Sequence, residues 1–137
     1  MPADTDLEPT EVVLVVDDEV IVRAPVCRML RHLGYFVLEA NNGEEALLVM
    51  QEYHSPIHLV ITDVMMPEMD GRQLIAMLRD WYPQMRVLFI SGYSAEQLEA
   101  QGGMVQGAAF LPKPFSMDAL ARRVREVLDA DWSVPAP

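Results

Sequence analysis

Five short apolar runs punctuate this chain, and each is followed by a segment with helical spacing. The first run, VVLVV at residues 12–16, has no polar alternation, so it reads as a strand covered on both faces. Residues 35–40 (YFVLEA), 57–62 (IHLVIT), 86–91 (RVLFIS) and 107–112 (GAAFLP) read as the other strands. The helical patterns fall at about 19–33, then 43–54, 71–82, 94–103 and 116–130. Strict strand–helix alternation implies a parallel sheet with helices on both faces. Right-handed crossovers then favour an α/β doubly wound fold, whose flavodoxin-like form is a (βα)5 sandwich with a five-stranded sheet in order 2-1-3-4-5.

Local punctuation agrees with this division. Gly34 suits the end of the first helix, Pro83 stops the third, and Ser116 suits the N-cap of the fifth. Leu120, Val124, Val127 and Leu128 should face inward, as should Ala46, Leu47, Met50 and Tyr53. Pro25 lies inside the first helical pattern and should kink it unless the helix begins later. Four glycines (Gly92, Gly102, Gly103, Gly107) surround the fourth helix, which should be short or mobile. Residues 1–10 and 131–137 contain proline and have no periodicity; they read as tails flanking one domain, 11–130.

In a doubly wound sheet the ligand site lies beyond the carboxyl ends of the strands. Strand one ends in Asp17 and Asp18, strand three in Asp63, strand four in Ser91 and strand five in Lys113. Glu39, closing strand two, adds little. Adjacent carboxylates repel and are costly to desolvate, so the second aspartate needs a reason. If strands one and three are neighbours, three carboxylates converge on one volume. Such a set suits a hard divalent cation; Mg²⁺ is usually held by only one or two protein carboxylates, with waters and phosphate oxygens completing the octahedron, so the cluster reads as half a phosphate site. Lys113 is the only lysine in the chain and offers a compact charge for phosphate. Pro114 restrains its backbone. Each residue alone has a bland reading: a turn at Asp63, loop polarity at Ser91, a solvated charge at Lys113. Their placement at the same end of four strands is what argues for a site.

Composition narrows the function classes. The net charge of −11, from 10 basic and 21 acidic residues, argues against nucleic acid or an anionic membrane as partner. One cysteine, Cys27, rules out an internal disulfide and a Cys-rich metal site, and its apolar setting suggests a buried small hydrophobe. The acidic start has no signal-peptide pattern, and no apolar run is long enough to span a membrane, so a cytoplasmic location is expected.

The motifs VVDDE (15–19), ITDVMMPEMDG (61–71), FISGYS (89–94) and FLPKPF (110–115) together resemble a response-regulator receiver domain of two-component signalling. The likeness covers roughly residues 11–130, and the ISGYS and LPKPFSMDALARRVREVL stretches look most like receivers at the C-terminus of hybrid sensor histidine kinases. The resemblance implies that Asp63 accepts a phosphoryl group from a phosphohistidine. It implies Mg²⁺ (or Mn²⁺) on Asp18 and Asp63 directly, on Asp17 through water and on the Met65 backbone carbonyl. Ser91 and Lys113 would hold phosphoryl oxygens. The implied partners are a histidine kinase or histidine phosphotransfer domain and a downstream protein. Such a domain is not a turnover enzyme; it catalyses only its own phosphorylation and dephosphorylation. Phe110 stands where family members often carry a switching tyrosine, and a core role for it weighs equally. Met65 and Tyr93 flank the site and should limit water's approach to an acyl phosphate.

Three other readings are weaker. A haloacid-dehalogenase-type phosphohydrolase would place two aspartates two apart after strand one, whereas these are adjacent. A flavin module would need a phosphate-cradling loop where DDEV stands. A degenerate scaffold receiver would lack some of the five side chains.

Overall fold

The structure, a computed structural model, describes residues 11–66, 68–100 and 108–130. Its strands are β1 (Val12–Val16), β2 (Phe36–Ala40), β3 (Leu59–Asp63), β4 (Arg86–Ser91) and β5 (Ala109–Pro112). All pairings are parallel, and the sheet order is β2-β1-β3-β4-β5, as expected. The helices are α1 (Val20–His32), α2 (Gly43–Glu52), α3 (Gly71–Trp81), α4 (Ala95–Ala100) and α5 (Met117–Asp129). The expected tails and the glycines at 102, 103 and 107 lie outside the described residues.

Alternation along β1 divides the core in two. Val12, Leu14 and Val16 pack with Ala46 and Met50 of α2 and with Leu74, Ile75 and Leu78 of α3. Val13 and Val15 pack on the other face with Val26, Cys27 and Leu30 of α1 and with Leu120, Val124, Val127 and Leu128 of α5. Cys27 is the buried small hydrophobe expected, and burial pushes its thiol up to about 12. Leu47 and Tyr53 pack partly buried against the first core.

The element ends show local chemistry the patterns missed. Strand three begins two residues later than expected. The Nδ1 of His58 accepts the Val12 N–H at 2.9 Å, so a side chain takes a main-chain donor at the strand's entrance. The first helix runs through Pro25 from Val20 without starting later. Pro25 has no N–H to offer the Ile21 carbonyl one turn earlier, and Ile21 is 88% exposed, so the lost bond falls at a surface residue of the helix. At the other end Gly34 has φ +102°. Tyr35 N–H donates to the Leu30 carbonyl at 3.1 Å and Gly34 N–H to that of Arg31 at 3.0 Å, the two bonds of a Schellman cap. Ser116 caps α5 as expected, accepting the Ala119 N–H at 3.0 Å.

Candidate functional site

Register sets the site. Val16 pairs with Ala40 on one side and Thr62 on the other, Asp63 pairs with Ile90, and Ser91 pairs with Pro112. All five strands therefore end near one level, and the polar residues that close or follow β1, β3, β4 and β5 share one volume.

Asp17 follows β1 directly and is fully buried. Its N–H donates to the Ala40 carbonyl at 3.2 Å, and its Oδ1 accepts the Glu19 N–H at 2.9 Å. Its Oδ2 is buried with no hydrogen-bond partner among the described residues and lies 3.6 Å from Lys113 Nζ. Burial holds this carboxyl above its ordinary value, against the Glu19 amide and the Lys113 charge. Asp18 is exposed.

Asp63 is the last residue of β3 and is buried. Its carbonyl accepts the Thr62 hydroxyl at 2.9 Å. The chain turns back here so closely that a Cβ on Gly71 would overlap the Asp63 carbonyl oxygen. Gly71 N–H closes this return by donating to the Val64 carbonyl at 2.8 Å. The position therefore excludes any side chain, a requirement of close approach. The Asp63 Oδ1 accepts the Met65 N–H at 3.2 Å, and Oδ2 accepts Lys113 Nζ at 3.0 Å. Burial raises this carboxyl too, in opposition to the lysine.

Lys113 is held beside β4 by its main chain: its N–H donates to the Ser91 carbonyl at 2.6 Å. Its ammonium lies 3.0 Å from Asp63, 3.6 Å from Asp17 and 3.7 Å from Glu19. Burial alone would lower the Lys113 pKa; the Asp63 hydrogen bond and the surrounding carboxylates outweigh it and hold it above its ordinary value. One oxygen from each of Asp17, Asp18 and Asp63 lies within 4.8 Å of the others. One lysine cannot balance three carboxylates. The uncapped, buried Oδ2 of Asp17 shows where a further cation fits, and an all-oxygen donor set suits a hard divalent ion.

Asp17, Asp18, Asp63 and Lys113 are thus brought together as expected. Ser91 lies beside them, fully buried, with its Oγ accepting the Tyr93 N–H at 2.9 Å. Met65 meets Asp63 through its N–H, and its side chain, like that of Tyr93, stands partly exposed at the rim (41% and 37%). Phe110 packs partly buried against the first core.

Sequence reasoning passed over four residues here. Glu39 does contribute: it accepts Arg23 Nε and Arg31 Nη2, each at 3.1 Å. Arg23 also donates from Nη1 to the Asp17 carbonyl at 2.6 Å. An arginine amid an apolar helix face was the available clue. Glu19 near Lys113 and the crowded Gly71 are the others.

This geometry has close counterparts. The family model "Response regulator receiver domain" matches residues 13–125. The sensor kinase CckA of Brucella abortus is 42% identical over 125 residues, covering 91% of this chain and 13% of CckA. The receiver protein CpdR of the same organism is 31% identical over 118 residues, 86% of this chain and 97% of CpdR. Among solved structures, the receiver domain of the hybrid histidine kinase CckA superposes with a TM-score of 0.73 at 42% identity, covering 86% of this chain and 99% of that one. The chemotaxis protein CheY4 of Vibrio cholerae does so with a TM-score of 0.78 at 29% identity, covering 87% and 99%. The chain belongs to the response regulator receiver domains, the phosphoacceptor modules of two-component systems. Within that family it is similar to the receiver carried by a hybrid histidine kinase. Among the described residues, no helix is long and apolar enough to cross a membrane.

Proposed function

We propose that Asp63 is the phosphoacceptor of this receiver and that Asp17, Asp18, Ser91 and Lys113 serve the transfer. The observation that carries this is the convergence of Asp17, Asp18 and Asp63 at the carboxyl ends of the strands, with Lys113 on Asp63 and Asp17. A carboxylate oxygen of Asp63 attacks the phosphorus of a phosphohistidine. The P–O bond forms as the P–N bond breaks, and the electron pair leaves with the imidazole, which takes up a proton. The product is an acyl phosphate. Lys113, now on Asp63 Oδ2, shifts its ammonium to a phosphoryl oxygen, and the Ser91 hydroxyl donates to another.

Asp18 and Asp63, Asp17 through water and the Met65 carbonyl would hold Mg²⁺ (or Mn²⁺), which would supply charge neutralisation at the phosphoryl group. Binding is favoured because the chain's own charges at this point are in excess. The domain, residues 11–130, catalyses only its own phosphorylation and dephosphorylation. Its donor is a histidine kinase or histidine phosphotransfer domain. Its output goes to a protein or to another domain of a longer chain, as in a hybrid kinase. The net charge of −11 speaks against nucleic acid and membrane as partners and suits a cytoplasmic module. Met65 and Tyr93 at the rim restrict water's access. Exchanging each for a small polar residue should shorten the acyl phosphate's half-life; an unchanged half-life removes that role.

The test is intact mass after incubation with acetyl phosphate, with and without Mg²⁺, on wild type and Asp63→Asn. The expected result is a Mg²⁺-dependent gain of one phosphoryl group in wild type and none in the variant. Gain in both would move the acceptor elsewhere. Continuous phosphate release from small esters would favour a phosphohydrolase instead.

A further inference from the structure

A second charged group lies immediately beneath the site and touches none of the reacting atoms. Arg23, on the first turns of α1, is buried, and its planar fork is used at two points. Nη1 donates to the Asp17 carbonyl at 2.6 Å, and Nε donates to Glu39 Oε1 at 3.1 Å. Glu39 is anchored in turn: it sits on β2 opposite Val15 and accepts Arg31 at 3.1 Å.

The carbonyl that Arg23 grips belongs to the peptide plane joining Asp17 to Asp18. A peptide plane is rigid, so its tilt sets the directions of both flanking residues. The N–H of Asp17 is already held by Ala40 at 3.2 Å. With the carbonyl held as well, the Asp17 backbone cannot rotate, and both carboxylates are presented toward Asp63. Without Arg23 that buried carbonyl loses its partner, and the repelling pair is free to swing apart.

We infer that Arg23, anchored by Glu39, is a positioning residue for the divalent-cation site, acting through the Asp17–Asp18 peptide. This rests on the reading of the three carboxylates as that site. It extends the machinery to a residue outside the motifs that define the cluster. Fork geometry matters more than charge here: a lysine offers one point charge and cannot bridge a carbonyl and a carboxylate at fixed angles.

The test measures Mn²⁺ affinity from the spin-resonance signal of free Mn²⁺, on the whole chain without phosphodonor. Wild type, Asp17→Asn, Arg23→Ala, Arg23→Lys and Arg125→Ala are compared, with circular dichroism to verify folding. Arg125 bonds Glu11, Asp129 and Tyr35, none of them in the site, so its loss controls for general destabilisation. The expected result is a loss of affinity of about tenfold in Arg23→Ala, the scale for groups supporting metal ligands. Arg23→Lys should lose nearly as much, and Arg125→Ala should be unchanged. Should Arg23→Ala not fold, Arg23→Lys decides alone. Affinity within twofold of wild type in the folded Arg23 variants overturns the inference while leaving the site intact. An equal loss in Arg125→Ala also overturns it. If wild type itself fails to bind Mn²⁺, or Asp17→Asn binds as well as wild type, the cation site falls and this inference with it.

Discussion

The two ends of the sheet carry ionic clusters of similar ingredients and opposite design. At the amino end, Arg125 of α5 clamps Glu11 with two bonds of 2.8 and 2.9 Å, bonds Asp129 at 2.8 Å and meets the Tyr35 hydroxyl at 3.2 Å. This cluster is open to water, with side chains of Arg125 and Asp129 45% and 64% exposed. Its groups are mutually satisfied, and it ties the last helix to the start of the first strand. At the carboxyl end, Lys113 faces Asp17, Asp63 and Glu19, with Asp18 close to the other two aspartates, and among the described residues the buried Asp17 Oδ2 has no hydrogen bond. One cluster is complete as it stands. The other is left with excess negative charge by burial and register, the kind of perturbed cluster that marks functional sites.

The sharpest way to separate the two is to remove each cation. Lys113→Ala should slow phosphorylation by acetyl phosphate about 100-fold, the scale for losing one charge-stabilising donor. Arg125→Ala should leave that rate unchanged. Equal rates in the two variants would break the distinction. Mg²⁺ titration comes next. At 100 times its dissociation constant it should stabilise wild type by about 2.7 kcal/mol, seen as a rise in Tm. Asp17→Asn and Asp63→Asn should show little of this rise and should melt higher than wild type in its absence. Loss of the Arg125 cluster is a smaller matter: Arg125→Ala should cost about 1 kcal/mol or less, shrinking further in salt, since exposed pairs are weak and screened.

Acidification should distinguish the clusters by sign. The folded pKa of Asp63 lies above its ordinary value of 3.8 because burial disfavours its charge. In Mg²⁺-free buffer the native state therefore binds the proton first, and stability rises as pH falls through that raised pKa. The melting gap between Asp63→Asn and wild type should close in this window. Asp129 behaves oppositely: its hydrogen bonds to Arg125 lower its pKa below 3.8. Its contribution is complete above 3.8 and is lost only as pH falls further, through the lowered value. The gap between wild type and Arg125→Ala should thus persist until lower pH. Gaps that close together would show that the two clusters share one electrostatic design.

Much of this molecule is written in residue order. The VVLVV run and the β–α alternation suffice for a covered parallel sheet, because apolar period and length are local properties. The acidic pair, Asp63, Ser91 and Lys113 are legible because a parallel sheet places all strand ends on one side. Side-chain partners chosen across the fold are not legible in that way. Glu39 reads as a strand end that adds little, and no local pattern pairs it with Arg23. They become a unit only when β2 lies beside β1 and α1 crosses over them.

Sequence alone therefore determined the layer architecture and the chemical kind of the site. Those follow from periodicity and from the direction of parallel strands. Only the tertiary structure decided that Asp17 keeps a bare oxygen, that Lys113 rests on Asp63, and that Gly71 leaves no room for a side chain. Those depend on distances between segments far apart in the chain, which packing sets and local pattern does not.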